Sequence, residues 1–134
     1  MKQVELFKII IDEKRADQVI VLKEKDGDRQ IPIMIGLVEA SSIKMRISGV
    51  TLPRPLTHDL LSTAITELGA SLEKVVIDKM VKNTFHAKLY IRRPDDEVVI
   101  IDARPSDSIA LAVRLDAPVF VEDDILEKAV LFHP

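Results

Sequence analysis

Residues 101–112 read Ile-Asp-Ala-Arg-Pro-Ser-Asp-Ser-Ile-Ala-Leu-Ala, and they contain the chain's clearest change from strand to helix. The apolar run Glu97–Ile101 is typical of a strand. Pro105 suits the first turn of a helix, and Asp107 suits its positive end. Residues Ile109 to Val113 are apolar on all sides, which predicts a deeply buried helix. A strand leading into a buried helix favours an α+β fold with helices packed on a sheet.

Hydrophobic periodicity predicts further strands and helices on both sides of this stretch. The predicted strands are Val4–Ile11, Gln18–Lys23, Leu72–Lys79, Phe85–Arg92 and Pro118–Val121. Asp26-Gly27 indicates a hairpin turn, so the sheets should be rich in antiparallel pairs. One helix is predicted over Gly36–Ile47 and another from Thr57, while a last helix begins near Glu122. The buried face of the helix from Thr57 is predicted to contain Leu60, Leu61, Ala64, Ile65 and Leu68.

The two halves of the chain resemble each other at an offset of 66 residues. Leu6–Asp12 and Leu72–Asp78 share four of seven residues, and two more positions exchange Ile for Val. We interpret this as an internally duplicated strand-and-helix unit within one domain spanning 1–134, with pseudo-repeats of about 1–70 and 71–134. The alternative is chance similarity between two amphipathic patterns.

Composition places the chain among ordinary globular domains. It has 134 residues, of which 47% are hydrophobic and 31% charged, and its net charge is -3. This acidic balance argues against a protein that coats nucleic acid non-specifically. The absence of cysteine excludes disulfides and thiolate metal sites, and favours the cytoplasm. The first twelve residues are too frequently charged for a signal peptide or a membrane span, so no membrane partner is expected.

Two polar clusters that precede helices contain more ionisable groups than capping requires. They are Arg54–Asp59 and Asp102–Asp107. Carboxylates with one imidazole suit a divalent cation, which can activate water and neutralise a phosphodiester transition state. The arginines could hold a phosphate through paired hydrogen bonds. The alternative for each residue is structural, as a helix cap or a member of an ion pair.

The strand Phe85–Arg92 alternates between apolar and polar residues. Lys88, Tyr90 and Arg92 share its polar face, and no acidic residue occurs between Lys79 and Arg93. A basic face with an aromatic ring can follow a phosphate backbone and stack a base, which suits single-stranded nucleic acid. A solvated outer face and an oligomer interface are the alternatives.

Three motifs resemble the bifunctional nuclease domain family. They are Ile31–Gly36 followed by Glu39-Ala40, then Arg54–Leu60, then Ile101–Ala112, and they occur in this order over essentially the whole chain. The resemblance implies a compact α+β domain with a duplicated unit, and nuclease activity on RNA and DNA. It supplies no assigned catalytic residues.

The expected function is therefore a phosphodiester-cleaving nuclease that depends on Mg²⁺ or Mn²⁺ and needs no organic cofactor. The rival is a non-catalytic binding or regulatory module, in which the polar cluster holds an anion or locks the two halves together. Both faces of Val4–Ile11 are largely apolar, which predicts a homodimer or higher homo-oligomer. The predicted catalytic residues are His58, Asp59, Asp102 and Asp107; the predicted metal ligands are Asp59, Asp102 and Asp107; the predicted substrate-binding residues are Arg54, Arg104, Lys88, Tyr90 and Arg92.

Overall fold

A computed structural model describes residues 1–131, in which seven strands form one sheet and four helices pack against it. This confirms the α+β prediction. No helix in this described part is long and apolar enough to cross a membrane. The elements in chain order are β1 (Lys2–Ile10), β2 (Asp17–Glu24), β3 (Gln30–Gly36), α1 (Leu37–Ile47), α2 (Thr57–Glu67), β4 (Ser71–Val81), β5 (Thr84–Arg92), β6 (Val98–Ala103), α3 (Pro105–Leu115), β7 (Val119–Val121) and α4 (Asp123–Leu131).

The sheet has the strand order β3-β2-β1-β7-β4-β5-β6. Strands β1 to β3 form one antiparallel meander and β4 to β6 form another. The short strand β7 joins them, pairing antiparallel with β1 and parallel with β4. The two meanders thus extend from β7 in opposite directions, with β1 and β4 in corresponding places. A duplicated chain would have this arrangement, but the duplication itself stays a prediction.

The core lies between the sheet and helices α1, α3 and α4. Alternate residues of β2 to β5 point into it, as the period of a half-buried strand requires. Ile109, Ala110, Leu111 and Ala112 are each 3% exposed or less, which confirms the predicted burial of this helix. Burying a side chain of the size of Leu111 contributes about 1.5–3 kcal/mol. The α3 helix is therefore fixed rigidly, and so are the polar residues at its two ends.

The predicted buried face of α2 is wrong except at Ile65, which is partly buried against the core. Leu60 is 62% exposed, Leu61 43% and Leu68 75%, whereas His58 and Ser62 are buried. The helix is amphipathic as the periodicity indicates, but its polar side faces the protein. The physical reason is that polar partners on α1 and α3 satisfy the inward-facing groups by hydrogen bonds.

Candidate functional site

Polar side chains from α1, α2 and α3 meet in one connected group at the N-terminal ends of these helices and along α3. We call it the helix cluster. Its members are Glu39, Ser42, His58, Asp59, Arg104, Asp107 and Arg114. The two polar segments predicted from the sequence, Arg54–Asp59 and Asp102–Asp107, therefore do come together through His58 and Asp107.

Local sequence explains how α1 and α3 present their acidic groups. Gly36 precedes α1, and a Cβ at this position would collide with Glu39 Oε2, so glycine lets the Glu39 carboxylate fold back over the helix start. Arg104 is the extended residue before α3, and Pro105 occupies its first turn. Asp107 lies in the same turn, where the helix dipole favours a carboxylate.

Arg104 is held by carboxylates from two helices while remaining open to solvent. Its Nη2 donates to Glu39 Oε1 at 3.0 Å, and its Nε donates to Asp107 Oδ2 at 3.1 Å. These contacts, with Asp107 the stronger, raise the pKa of Arg104 above its usual value. The side chain is nevertheless 66% exposed. A guanidinium carries five N–H donors, so it retains donors for an incoming anion.

His58 connects Asp107 to Ser42 through both ring nitrogens. Its Nε2 lies 2.9 Å from Asp107 Oδ1, and its Nδ1 lies 2.9 Å from Ser42 Oγ. Ser42 Oγ already accepts a hydrogen bond from Arg114 Nη2 at 2.9 Å, which leaves its own hydrogen free for His58 Nδ1. With Ser42 Oγ donating to Nδ1, the hydrogen of a neutral ring lies on Nε2 and is donated to Asp107; this assignment follows from the hydrogen-bond network. His58 is buried, whereas the side chain of Asp107 is 33% exposed.

Arg114, the most buried charged side chain of the helix cluster, forms an ion pair with Asp59. Arg114 Nε donates to Asp59 Oδ1 at 2.7 Å, and the Arg114 side chain is only 5% exposed. Asp59 Oδ2 also accepts the backbone N–H of Leu56, which caps α2. Both interactions lower the pKa of Asp59, with Arg114 contributing most. Arg114 Nη1 donates further to the carbonyl of Ala110.

Asp102 and Arg54 lie outside the helix cluster. Asp102 is 73% exposed and accepts a hydrogen bond from Lys88 Nζ at 3.1 Å, which lowers the pKa of Asp102. Arg54 is exposed in the loop between α1 and α2 and takes part in none of the cluster's hydrogen bonds.

The three predicted metal ligands are not gathered around one point. Asp59 is paired with Arg114, Asp107 with His58 and Arg104, and Asp102 with Lys88. Among residues 1–131, no group of three or more His, Cys, Asp or Glu side chains is arranged to hold a metal ion. The residues present therefore do not fit a preformed cation site.

The polar face of β5 is compensated by acidic neighbours on adjacent strands. Lys88 contacts Asp78 of β4 as well as Asp102 of β6. Arg92 Nε donates to Glu73 of β4 at 2.6 Å. The Tyr90 ring is covered by Lys74, whose Nζ lies 4.7 Å from the ring centre. The β5 segment therefore has no acidic residue close to it in sequence, but acidic residues of β4 and β6 lie beside it in the structure.

A cavity of about 590 Å³ adjoins Arg104. Its walls come from β3, from the β4–β5 hairpin, from the start of α3 and from Ala129 of α4. The lining is mainly apolar and includes Ile33, Met34, Met80 and Phe85, with Arg104 as its basic group and Asp17 of β2 as its acidic group. This volume is in the range of small-molecule sites, about 300–1,000 Å³.

No functional role was assigned to Ser42, Arg114 or Glu39 from the sequence. The available signals were polar residues within otherwise apolar helices: Glu39 at the start of α1 and Arg114 near the end of α3. A charged residue in a buried helix usually has a partner. The neighbouring sequence does not identify that partner, because Arg114 and Asp59 are 55 positions apart.

Comparison with known proteins finds similarity over nearly the whole chain. A model of the family described as "Bifunctional nuclease domain" matches residues 20–133. An uncharacterized protein of Mycobacterium tuberculosis is 40% identical over 134 residues, which is 100% of this chain and 79% of that protein. The protein named Bifunctional nuclease 1 of Oryza sativa subsp. japonica is 28% identical over 105 residues, covering 76% of this chain and 32% of its own length. Bifunctional nuclease 2 of Arabidopsis thaliana is 29% identical with the same coverage.

Proposed function

Because this chain belongs to the bifunctional nuclease domain family, we propose that it is a nuclease that hydrolyses phosphodiester bonds of RNA and DNA. The observation that carries the proposal is the position of Arg104. This exposed guanidinium is fixed between two carboxylates, borders the 590 Å³ cavity and contacts Asp107. A phosphate bound at Arg104 would thus lie next to the cavity, which would take a base, and next to Asp107, which would accept a proton.

Arg104 would bind the phosphate, and the cavity beside it would take one unpaired base. Phe85 and Met80 offer the apolar surface on which a base can pack, and such packing contributes about 1–3 kcal/mol per base for aromatic side chains. The cavity requires a base outside a duplex, so the proposed substrate is single-stranded.

Asp107 is the proposed proton acceptor for the attacking water. It is partly exposed, whereas His58 is buried behind it and reaches the site only through the Nε2–Oδ1 hydrogen bond. His58 is therefore a positioning residue: it donates to one oxygen of the carboxylate, and Arg104 donates to the other. Each carboxylate oxygen retains a lone pair for water. Asp59 and Asp102 remain candidates from the sequence and are included in the test below.

Dependence on a divalent cation is also part of the proposal. The helix cluster contains three carboxylates against two guanidinium groups, so a polyanion would meet a net negative charge unless a cation accompanied it. Because no described group of three ligands is preformed, no catalytic step is assigned to the ion.

The experiment is cleavage of labelled single-stranded RNA and DNA by purified protein with Mg²⁺, with Mn²⁺ and with chelator. Asp107→Asn and Arg104→Gln should lower the rate by about 10²-fold or more, the usual scale for a positioned acid–base group, without a matching loss of thermal stability. Asp59→Asn and Asp102→Asn are measured alongside. Asp124→Asn, at an exposed position on α4, is the matched control and should cleave like the wild type. No cleavage above that of a mock purification would refute the nuclease proposal.

A second candidate, the non-catalytic module, is favoured by one specific observation. The ion pairs Glu39–Arg104 and Asp59–Arg114 and the hydrogen bond His58–Asp107 all join residues 1–70 to residues 71–131. A cluster that only locks the halves together would give variants whose activity is absent throughout and whose stability falls sharply. The same set of variants separates the two functions.

A further inference from the structure

The edge strand β6 exposes an unbroken apolar segment. Val98, Val99, Ile100 and Ile101 are 40%, 38%, 55% and 43% exposed. β6 pairs only with β5 within the sheet of residues 1–131, so its outer backbone groups have no strand partner there. A long apolar edge strand is a template for pairing with another chain.

The apolar layer under the helices stops one strand short of this edge. On β5, Leu89 and Ile91 are 5% and 8% exposed, whereas Ile101 and Val99, directly opposite them on β6, are 43% and 38% exposed. The core face therefore continues onto β6, where residues 1–131 cover it only in part. On the other face of β6, Ile100 lies opposite Tyr90.

The two edges of the sheet differ in protection. The opposite edge, β3, carries Pro32, which cannot donate a hydrogen bond to a further strand, and α4 packs against it. The β6 segment from Val98 to Ile101 contains no proline, glycine or charge, and its pairing with β5 has no bulge. Edge strands of monomeric proteins are usually interrupted by such features.

We propose that β6 pairs antiparallel with β6 of a second copy of this chain, across a two-fold axis perpendicular to the sheet. The two seven-stranded sheets would become one continuous sheet. A two-fold axis perpendicular to the sheet leaves the helix-covered face of both copies on the same side. Residues that lie opposite each other across the axis must therefore point to the same face of the sheet. Registers centred on Val99 and on Ile100 each give three apolar pairs. The register centred on Val99 would place Asp102 opposite Asp96 of the second copy, and like charges directly opposite each other are destabilising. The register centred on Ile100 is therefore favoured: it places Ile100 opposite its own copy, and Val99 opposite Ile101.

Charge complementarity supports the same register. Val98 would face Asp102 of the second copy, and Val98 is itself paired with Arg92 on β5. The second copy's Asp102 would thus share a cross-strand row with Arg92, with Val98 between them, and Arg92 is itself bound to Glu73 of β4. The Asp102 side chain is 73% exposed in the single chain and keeps its hydrogen bond from Lys88 in this arrangement.

This surface replaces the one expected from the sequence. The oligomer was predicted from the apolar faces of β1, but β1 is an inner strand of the sheet, paired with β2 along most of its length and with β7 at Lys2–Val4. Its exposed Phe7 and Ile10 form isolated surface positions on a paired strand. An unpaired backbone edge together with two open apolar faces occurs at β6 and makes it the stronger association surface.

Sedimentation velocity between about 1 and 100 µM tests the proposal. The wild type should form a dimer whose population rises with concentration. Ile100→Lys puts two like charges face to face at the axis and should weaken association by more than about 100-fold. Ile47→Lys is the matched control, because Ile47 is 56% exposed at the end of α1, and it should associate like the wild type.

A cross-linking experiment keeps the proposal testable if the lysine variant folds poorly. The chain has no cysteine, so Ile100→Cys introduces one thiol at the axis, where facing Cβ atoms would be about 4.5–5.5 Å apart. Mild oxidation or a short bifunctional reagent should yield a covalent dimer from Ile100→Cys and little from Ile47→Cys. A wild type that stays monomeric, equal cross-linking of both variants, or a dimer unaffected by a folded Ile100→Lys would each overturn the proposal.

Discussion

Replacing Arg114 by methionine should reduce the free energy of unfolding by about 2–3 kcal/mol. Methionine keeps the unbranched apolar stem but removes the donors to Asp59, Ser42 and the Ala110 carbonyl. Breaking a buried ion pair from one side usually costs about 3–5 kcal/mol. The cost should be below that range because the Asp59 side chain is 41% exposed, so water can replace part of the lost contact.

In a domain of this size a loss of 2–3 kcal/mol lowers the melting temperature by about 6–12 °C. Thermal and urea unfolding followed by circular dichroism would measure it. The matched control is Arg93→Met: Arg93 is 53% exposed and pairs with Asp95 and Glu97 on the surface. Its loss should change the unfolding free energy by no more than about 0.5 kcal/mol. Equal melting temperatures for both variants would refute the claim that the helix cluster stabilises the fold through Arg114.

Three further outcomes follow from the same geometry. Folding lowers the pKa of Asp59, so its ion pair with Arg114 contributes its full stabilisation above the unfolded-state pKa of about 3.9. This stabilisation is lost as the pH falls through the lower pKa of Asp59 in the folded protein. Urea titrations should therefore show the difference in unfolding free energy between wild type and Asp59→Asn shrinking below about pH 4. Gly36→Ala should displace the Glu39 carboxylate from Arg104 and lower the rate of single-turnover cleavage about tenfold or more. The melting temperature should move by less than about 2 °C. An unchanged rate would show that the contact between Glu39 and Arg104 is dispensable for cleavage. Leu60→Gln, on the exposed side of α2, should change the unfolding free energy by less than about 0.5 kcal/mol, and a loss of several kcal/mol would mean that this face is covered.

The strands and α3 were predictable because their signals are local. Alternation over β5, the turn residues Asp26-Gly27 and the fully apolar Ile109–Val113 each specify structure within a few neighbours. Predicted and observed ends differ by one or two residues, as helix and strand ends usually do.

The orientation of α2 was not predictable in the same way. Periodicity identifies an apolar face, but burial of that face is decided by what lies opposite, and here His58 meets partners on α1 and α3. The charge state of β5 had the same difficulty. Lys88 follows an acid-free stretch of sequence, yet its neighbours across the sheet are Asp78 and Asp102. Long-range pairing of this kind requires the strand order, which the sequence pattern alone does not supply.

The strand β7 has a consequence for how the chain is made on the ribosome. It pairs Lys2 with Val121 and connects the two meanders of the sheet. The first meander can form its hairpins as it emerges, but the open side of β1 waits for a three-residue strand that follows it by more than 100 residues. Contacts between such distant parts of a chain form slowly. During synthesis the growing chain therefore carries β1 with an unpaired backbone edge at Lys2–Val4, and this edge stays open to pairing with strands of other chains until residue 121 has left the exit tunnel.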